Sequence, residues 1–81
     1  MIHGSYYRRQ ATTAIAQALA SLPPTYREAI VESYAAGRTT RQTAEALGLP
    51  HDTVKSRIYH GLRHLRQTLR EQGWPDKAPG Q

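Results

Sequence analysis

The sequence predicts an all-α fold, a small four-helix domain containing a helix-turn-helix. Three observations predict it. Apolar residues recur at intervals of three and four along the last third of the chain, at Val54, Ile58, Leu62, Leu65 and Leu69. Pro23-Pro24, Gly37 and Gly48 punctuate the chain where helices stop or start. No segment carries a strand signal. At 81 residues there is room for one domain with an economical core.

Each element follows from local pattern. Residues 1–10, MIHGSYYRRQ, are polar, aromatic and basic without a period, and read as a flexible linker or tail. From Ala11 the run ATTAIAQALASL sets Ile15, Ala18, Leu19 and Leu22 on one helical face. Pro23-Pro24 stops that helix, because the residue before a proline is pushed out of the helical region. Pro24 suits the first turn of the next helix, PPTYREAIVESYAAG, where its missing N–H costs nothing. Tyr26, Ala29, Ile30 and Tyr34 are its expected inward side, with Arg27, Glu28 and Glu32 facing water. Gly37 is a left-handed stop.

Thr39 followed three residues later by Gln42 forms a capping box for a third helix, with Ala44 and Leu47 inward and Gly48 closing it. Leu49 and Pro50 then separate it from the longest helix, Pro50 to about Arg70. The domain is expected to span 11–70. Residues 71–81, with Gly and two prolines, read as a flexible C-terminal tail.

Composition narrows the function. The chain has no cysteine, which excludes disulfides and thiolate metal sites. Its four histidines (His3, His51, His60, His64) lack partners at ligand spacing. The His60/His64 pair has Gly61 where a zinc-protease helix needs Glu, so no metal and no cofactor are expected. No catalytic triad, isolated carboxylate pair or phosphate loop is present, which speaks against an enzyme. No apolar run approaches the roughly 20 residues that span a bilayer, and the N-terminus has no signal-peptide core, so no membrane insertion and a cytoplasmic setting are expected. The formal net charge of +5 points to polyanions.

Placement of that charge says more. Two helices joined by a short Gly-containing turn describe a helix-turn-helix, whose second helix enters the major groove and meets base edges near its N-terminal end. With the aliphatic stripe inward, Asp52, Lys55, Ser56, Tyr59, His60 and Arg63 lie outward. Arg66 and Arg70 suit the helix dipole without any ligand, but Lys55 and Arg57 stand in the first turns, where positive charge is unfavourable. The candidate DNA-binding residues are therefore Arg41, Lys55, Ser56, Arg57, Tyr59, His60 and Arg63. Thr39 and Gln42 serve as helix cap and candidate phosphate contacts. Arg57 has a second candidate role, an ion pair with Glu45.

The run LPPTYREAIVESYAAGRTTRQTAEALGLPHDTVKSRIYHGLRHLRQ resembles region 4 of bacterial sigma factors, particularly the extracytoplasmic-function group. The resemblance rests on Leu22-Pro23, Arg27-Glu28, Gly37, the Ala44-Glu45-Ala46-Leu47-Gly48 helix, Thr53-Val54-Lys55-Ser56-Arg57, and Leu62 with Leu65-Arg66. It covers about residues 11–70. It implies a winged-helix-like domain without the wing, which binds the minus-35 element of double-stranded promoter DNA and docks on the beta flap of RNA polymerase. An anti-sigma factor is an expected regulator, and the domain alone an expected monomer. The family's promoter-melting region 2 is absent, so this chain by itself is not expected to open promoters.

Three positions depart from the family pattern: Arg38 and Thr43 replace apolar residues, which implies a looser, more solvated third helix, and Asp52 replaces a common Gly. Two alternatives stay open. One is an interaction module whose main activity is binding the flap or an anti-sigma factor. The other is a LuxR-type regulator, which carries a similar Thr-Val-Lys segment and would bind a palindrome as a homodimer.

Overall fold

The computed structural model describes residues 2–74, with side chains from Arg9 onward. Helix α1 spans Ile2–Ser21, α2 Pro24–Ile30, α3 Thr40–Leu47 and α4 His51–Glu71, and a π-helical turn at Val31–Ala35 continues α2. Among the described residues all regular structure is helical. Helix α4 is the spine: α2 packs on it most extensively, and α3 and α1 also contact it.

Helix α1 begins at Ile2 rather than Ala11, so it takes in most of the segment read as a tail. No proline precedes Pro23, and extending a formed helix is far cheaper than nucleating one, so nothing halts α1 at Ala11. At the other end α4 stops at Glu71, where Gly73 takes a left-handed φ of 92° and the Trp74 amide donates back to the Leu69 carbonyl at 2.9 Å. Met1 and residues 75–81 of the two expected tails lie outside the described residues.

The inward face of α1 is Ala14, Ala18 and Leu22, one residue round from the expected stripe, and Ile15 is 43% exposed. Two alanines at i and i+4 let the α1 backbone approach its neighbours closely, which the bulkier Ile15 would prevent. Across the Pro23-Pro24 turn, Arg27 Nη1 donates to the Ala20 carbonyl at 3.0 Å and to that of Leu22 at 3.5 Å. These are carbonyls that the end of α1 leaves without helical partners. Arg27 is thus half-buried and binds α1 to α2, in place of the water-facing role expected of it.

The largest correction falls on the second helix. Ala29 and Ile30 are buried as expected, but Tyr34 is 64% exposed and Ser33 is buried in its place. Ser33 lies four residues after Ala29 and three after Ile30 and so continues their buried face, while Tyr34 falls beyond its edge. The Ala36 amide donates to Val31 at 3.0 Å within the π-helical turn, and the Arg38 amide donates to Ser33 at 2.9 Å around Gly37 (φ 71°), which closes the helix. Ser33 tolerates burial because its hydroxyl donates to the Ile30 carbonyl at 3.2 Å.

Helix α3 starts with the capping box read from the sequence: the Gln42 amide donates to Thr39 Oγ1 at 3.0 Å, and the Thr39 amide to Gln42 Oε1 at 2.9 Å. It closes at Gly48 (φ 67°), with the Leu49 amide donating to Ala44 at 3.0 Å. The expected looseness of α3 is absent. Thr43 is fully buried and its hydroxyl donates to the Thr39 carbonyl at 2.8 Å. Arg38 pairs with Glu32 at the surface, linking the π-helical turn to the loop before α3.

On α4 the buried positions are Val54 and Gly61, while Ile58, Leu62, Leu65 and Leu69 are half-covered. Gly61 marks the closest approach of α2. A Cβ there would stand 2.8 Å from Ile30 Cδ1 and 3.2 Å from Tyr26 Cβ.

Candidate nucleic-acid interface

The turn Gly48–Pro50 sets α4 after α3 as the second helix of a helix-turn-helix. With Val54 and Gly61 facing the core, Asp52, Lys55, Ser56, Tyr59 and Arg63 recur at three- and four-residue spacing on the opposite side. All five are exposed, and so is His60 on their flank. At 1.5 Å per residue this stripe is roughly 16 Å long. A major groove about 12 Å wide accepts a helix with its N-terminal turns leading.

Tyr59 organises the middle of the stripe. The His60 ring meets it edge-on with centroids 5.3 Å apart, and the Arg63 guanidinium lies 5.9 Å from its centroid. That spacing is within cation–π range and steers Arg63 along the helix surface. The side chains of Lys55 and Ser56, one turn earlier, make no hydrogen bond or ion pair among the described residues. Their donors are available to a ligand.

The remaining sequence candidates lie elsewhere. Arg41 is exposed in the first turn of α3, the helix that crosses the DNA backbone in this motif. Thr39 and Gln42 are committed to each other in the capping box, which leaves the Thr39 hydroxyl hydrogen as a donor. Arg57 is half-buried on the flank between the stripe and the core, and forms no ion pair with Glu45.

Beyond Arg63 the basic surface continues. Arg63, His64, Arg66 and Gln67 line an open groove of about 460 Å³, walled on one side by Tyr26 of α2. The Tyr26 and His64 rings sit 6.4 Å apart at 56°. Sequence spacing placed these α4 residues on the helix but could not place Tyr26 beside them, because that neighbour depends on the α2–α4 packing at Gly61. Among the described residues no group of three His, Cys, Asp or Glu side chains is placed to hold a metal ion. No helix among them is long and apolar enough to cross a membrane.

Comparison with known proteins identifies this arrangement. The family description "Sigma-70, region 4" matches residues 12–65, from within α1 through the middle of α4. The chain is 48% identical over 59 residues to the ECF RNA polymerase sigma factor SigL of Mycobacterium tuberculosis, covering 73% of this chain and 33% of that protein. It is 32% identical over 63 residues to the RNA polymerase sigma factor SigZ of Bacillus subtilis, covering 78% of this chain and 36% of that protein. The chain thus spans about a third of the length of the curated relatives it matches. Region 4 is a DNA-binding regulatory domain of sigma factors and not an enzyme. With the family matched across α1 to α4 and the helix-turn-helix in place, this chain belongs to the sigma-70 region 4 family, the DNA-binding domain of sigma factors.

Proposed function

We propose that the domain recognises the minus-35 promoter element through α4 while docking on the beta flap of RNA polymerase. In a complete sigma factor it would thereby direct transcription initiation under the control of an anti-sigma factor. The observation that carries this reading is the exposed stripe of Lys55, Ser56, Tyr59 and Arg63, whose donors and aromatic edge match what major-groove edges offer. A guanidinium or ammonium donates to guanine, a hydroxyl to either base type, and an aromatic edge packs on a thymine methyl. Thr39, Arg41 and the groove-lining Arg66 supply phosphate contacts that fix the register.

The test compares Lys55→Ala and Ser56→Ala on a preferred duplex and on random duplex. Each change should weaken preferred binding by about tenfold and random binding by much less. Equal losses on both DNAs would show that these side chains touch only phosphate.

A second reading, an interaction module, is favoured by a separate surface. Val31 and Tyr34 stand exposed on the π-helical turn, at 39% and 64%. Tyrosine is enriched among the residues that anchor protein interfaces. Purified polymerase core that binds the wild-type domain and a Tyr34→Ser variant equally well would remove this surface from consideration. Sedimentation as a monomer would remove the LuxR-type dimer.

A further inference from the structure

We propose that Asp52 selects a cytosine in the duplex that α4 reads, its carboxylate accepting a hydrogen bond from the N4 amino group in the major groove. The inference rests on the DNA-reading role of α4 proposed above and assigns one specificity to that interface.

Asp52 opens the exposed stripe, one turn ahead of Ser56 and three residues ahead of Lys55. It is the one acid between His51 and Arg70, among five Lys or Arg residues. Its carboxylate is exposed and, among the described residues, accepts no hydrogen bond and forms no ion pair, not even with Lys55 on the same face. A carboxylate at the leading end of a groove-binding helix is repelled by phosphates on both sides. A base-edge donor offsets that repulsion.

Acceptor chemistry then chooses the base. An ionised carboxylate can only accept. Guanine presents two acceptors in the major groove and thymine an acceptor beside a methyl group, so both repel it. Adenine offers an amino donor, but flanked by the N7 acceptor. Cytosine offers the N4 amino group with no neighbouring acceptor of its own. Asp52 precedes Ser56 by about 6 Å along the helix, and base pairs stack roughly 3.4 Å apart. The base pair that Asp52 governs therefore lies within about two steps of the one that Ser56 governs.

The competing explanation is that Asp52 only complements the positive N-terminal end of the helix dipole, which acids in a first turn do without any ligand. The two separate cleanly in one experiment. A preferred duplex is selected from a random pool with the wild-type chain, and each of its base pairs is changed to the other three. Affinities are then measured for wild type, Asp52→Ala and Asp52→Asn, with helix content checked by circular dichroism.

The expected result is a preference of about tenfold for cytosine at one position in wild type, lost in Asp52→Ala while every other position keeps its ranking. In Asp52→Asn that position should turn towards adenine, which an amide engages through N6 and N7. If both variants change binding to every duplex by one common factor, Asp52 serves the helix end alone; the cytosine assignment falls and base reading by α4 stands. If wild type ranks no duplex above another, base reading itself fails and the assignment fails with it.

Discussion

Gly61 of α4 lies directly against Ile30 of α2, so closely that a Cβ on Gly61 would stand 2.8 Å from Ile30 Cδ1. The Ile30 methyl can swing aside, but Tyr26 Cβ at 3.2 Å belongs to the rigid start of its side chain. Gly61→Ala gains about 1 kcal/mol of helix propensity and pays an overpacking cost of about 1–3 kcal/mol. A net loss of about 1 kcal/mol is expected in urea unfolding, and a markedly larger one for Gly61→Leu. A stabilised Gly61→Ala would show that α2 and α4 are not in close contact there.

Thr43 occupies a fully buried site and gives its hydroxyl to the Thr39 carbonyl, which also accepts from the Thr43 amide at 2.8 Å. Thr43→Val removes a donor worth about 1 kcal/mol but strands no acceptor, and it adds a buried methyl worth about as much. Stability should stay within about 1 kcal/mol of wild type, whereas Thr43→Asp should prevent folding. A loss above about 2 kcal/mol for Thr43→Val would mean that the hydroxyl carries more than one bond.

Arg27 reaches back across the Pro23-Pro24 turn to the last carbonyls of α1. Being half-exposed, it should contribute about 1 kcal/mol rather than the larger value of a buried charge-assisted bond. Arg27→Ala should lower the urea midpoint by that amount and speed amide exchange at the C-terminal end of α1, leaving α3 unaffected. Uniform acceleration throughout the domain would contradict a local clasp.

Ser33 and Tyr34 test which side of the Val31–Ala35 segment faces the core. Tyr34→Ala should change stability by less than about 0.5 kcal/mol, as exposed positions do. Ser33→Leu should cost about 2 kcal/mol by overpacking. The opposite ranking would place Tyr34 rather than Ser33 against the core.

How far the sequence reveals the fold follows from the same residues. The helix-turn-helix is legible because its signals are local: the Thr39/Gln42 capping box, Gly48 in the left-handed conformation and the three-four spacing of the α4 stripe all act within a few residues. The inward faces of the first two helices are less legible. Ala14 and Ala18 win the core position through close approach rather than hydrophobicity, and the polar Ser33 takes the inward position that apolarity assigns to Tyr34. Arg27 takes its role from carbonyls five and seven residues back across the Pro23-Pro24 turn, and Thr43 and Gly61 take theirs from tertiary packing. Within the site, the exposed face of α4 follows from periodicity alone, whereas the half-buried flank position of Arg57 and the Tyr26 wall of the groove depend on how α2 and α3 sit against α4.

Base reading by α4 is tested most directly by fluorescence anisotropy of the chain against a pool of labelled duplexes, at low and at physiological salt. Each phosphate contact should make log K fall with log salt by roughly 0.9, equally for all sequences. Contacts from Lys55, Ser56, Tyr59 and Arg63 to base edges should leave a preference for a few duplexes that survives the higher salt. Uniform binding that disappears with salt would contradict base reading and leave a basic helical surface whose specificity resides in protein partners.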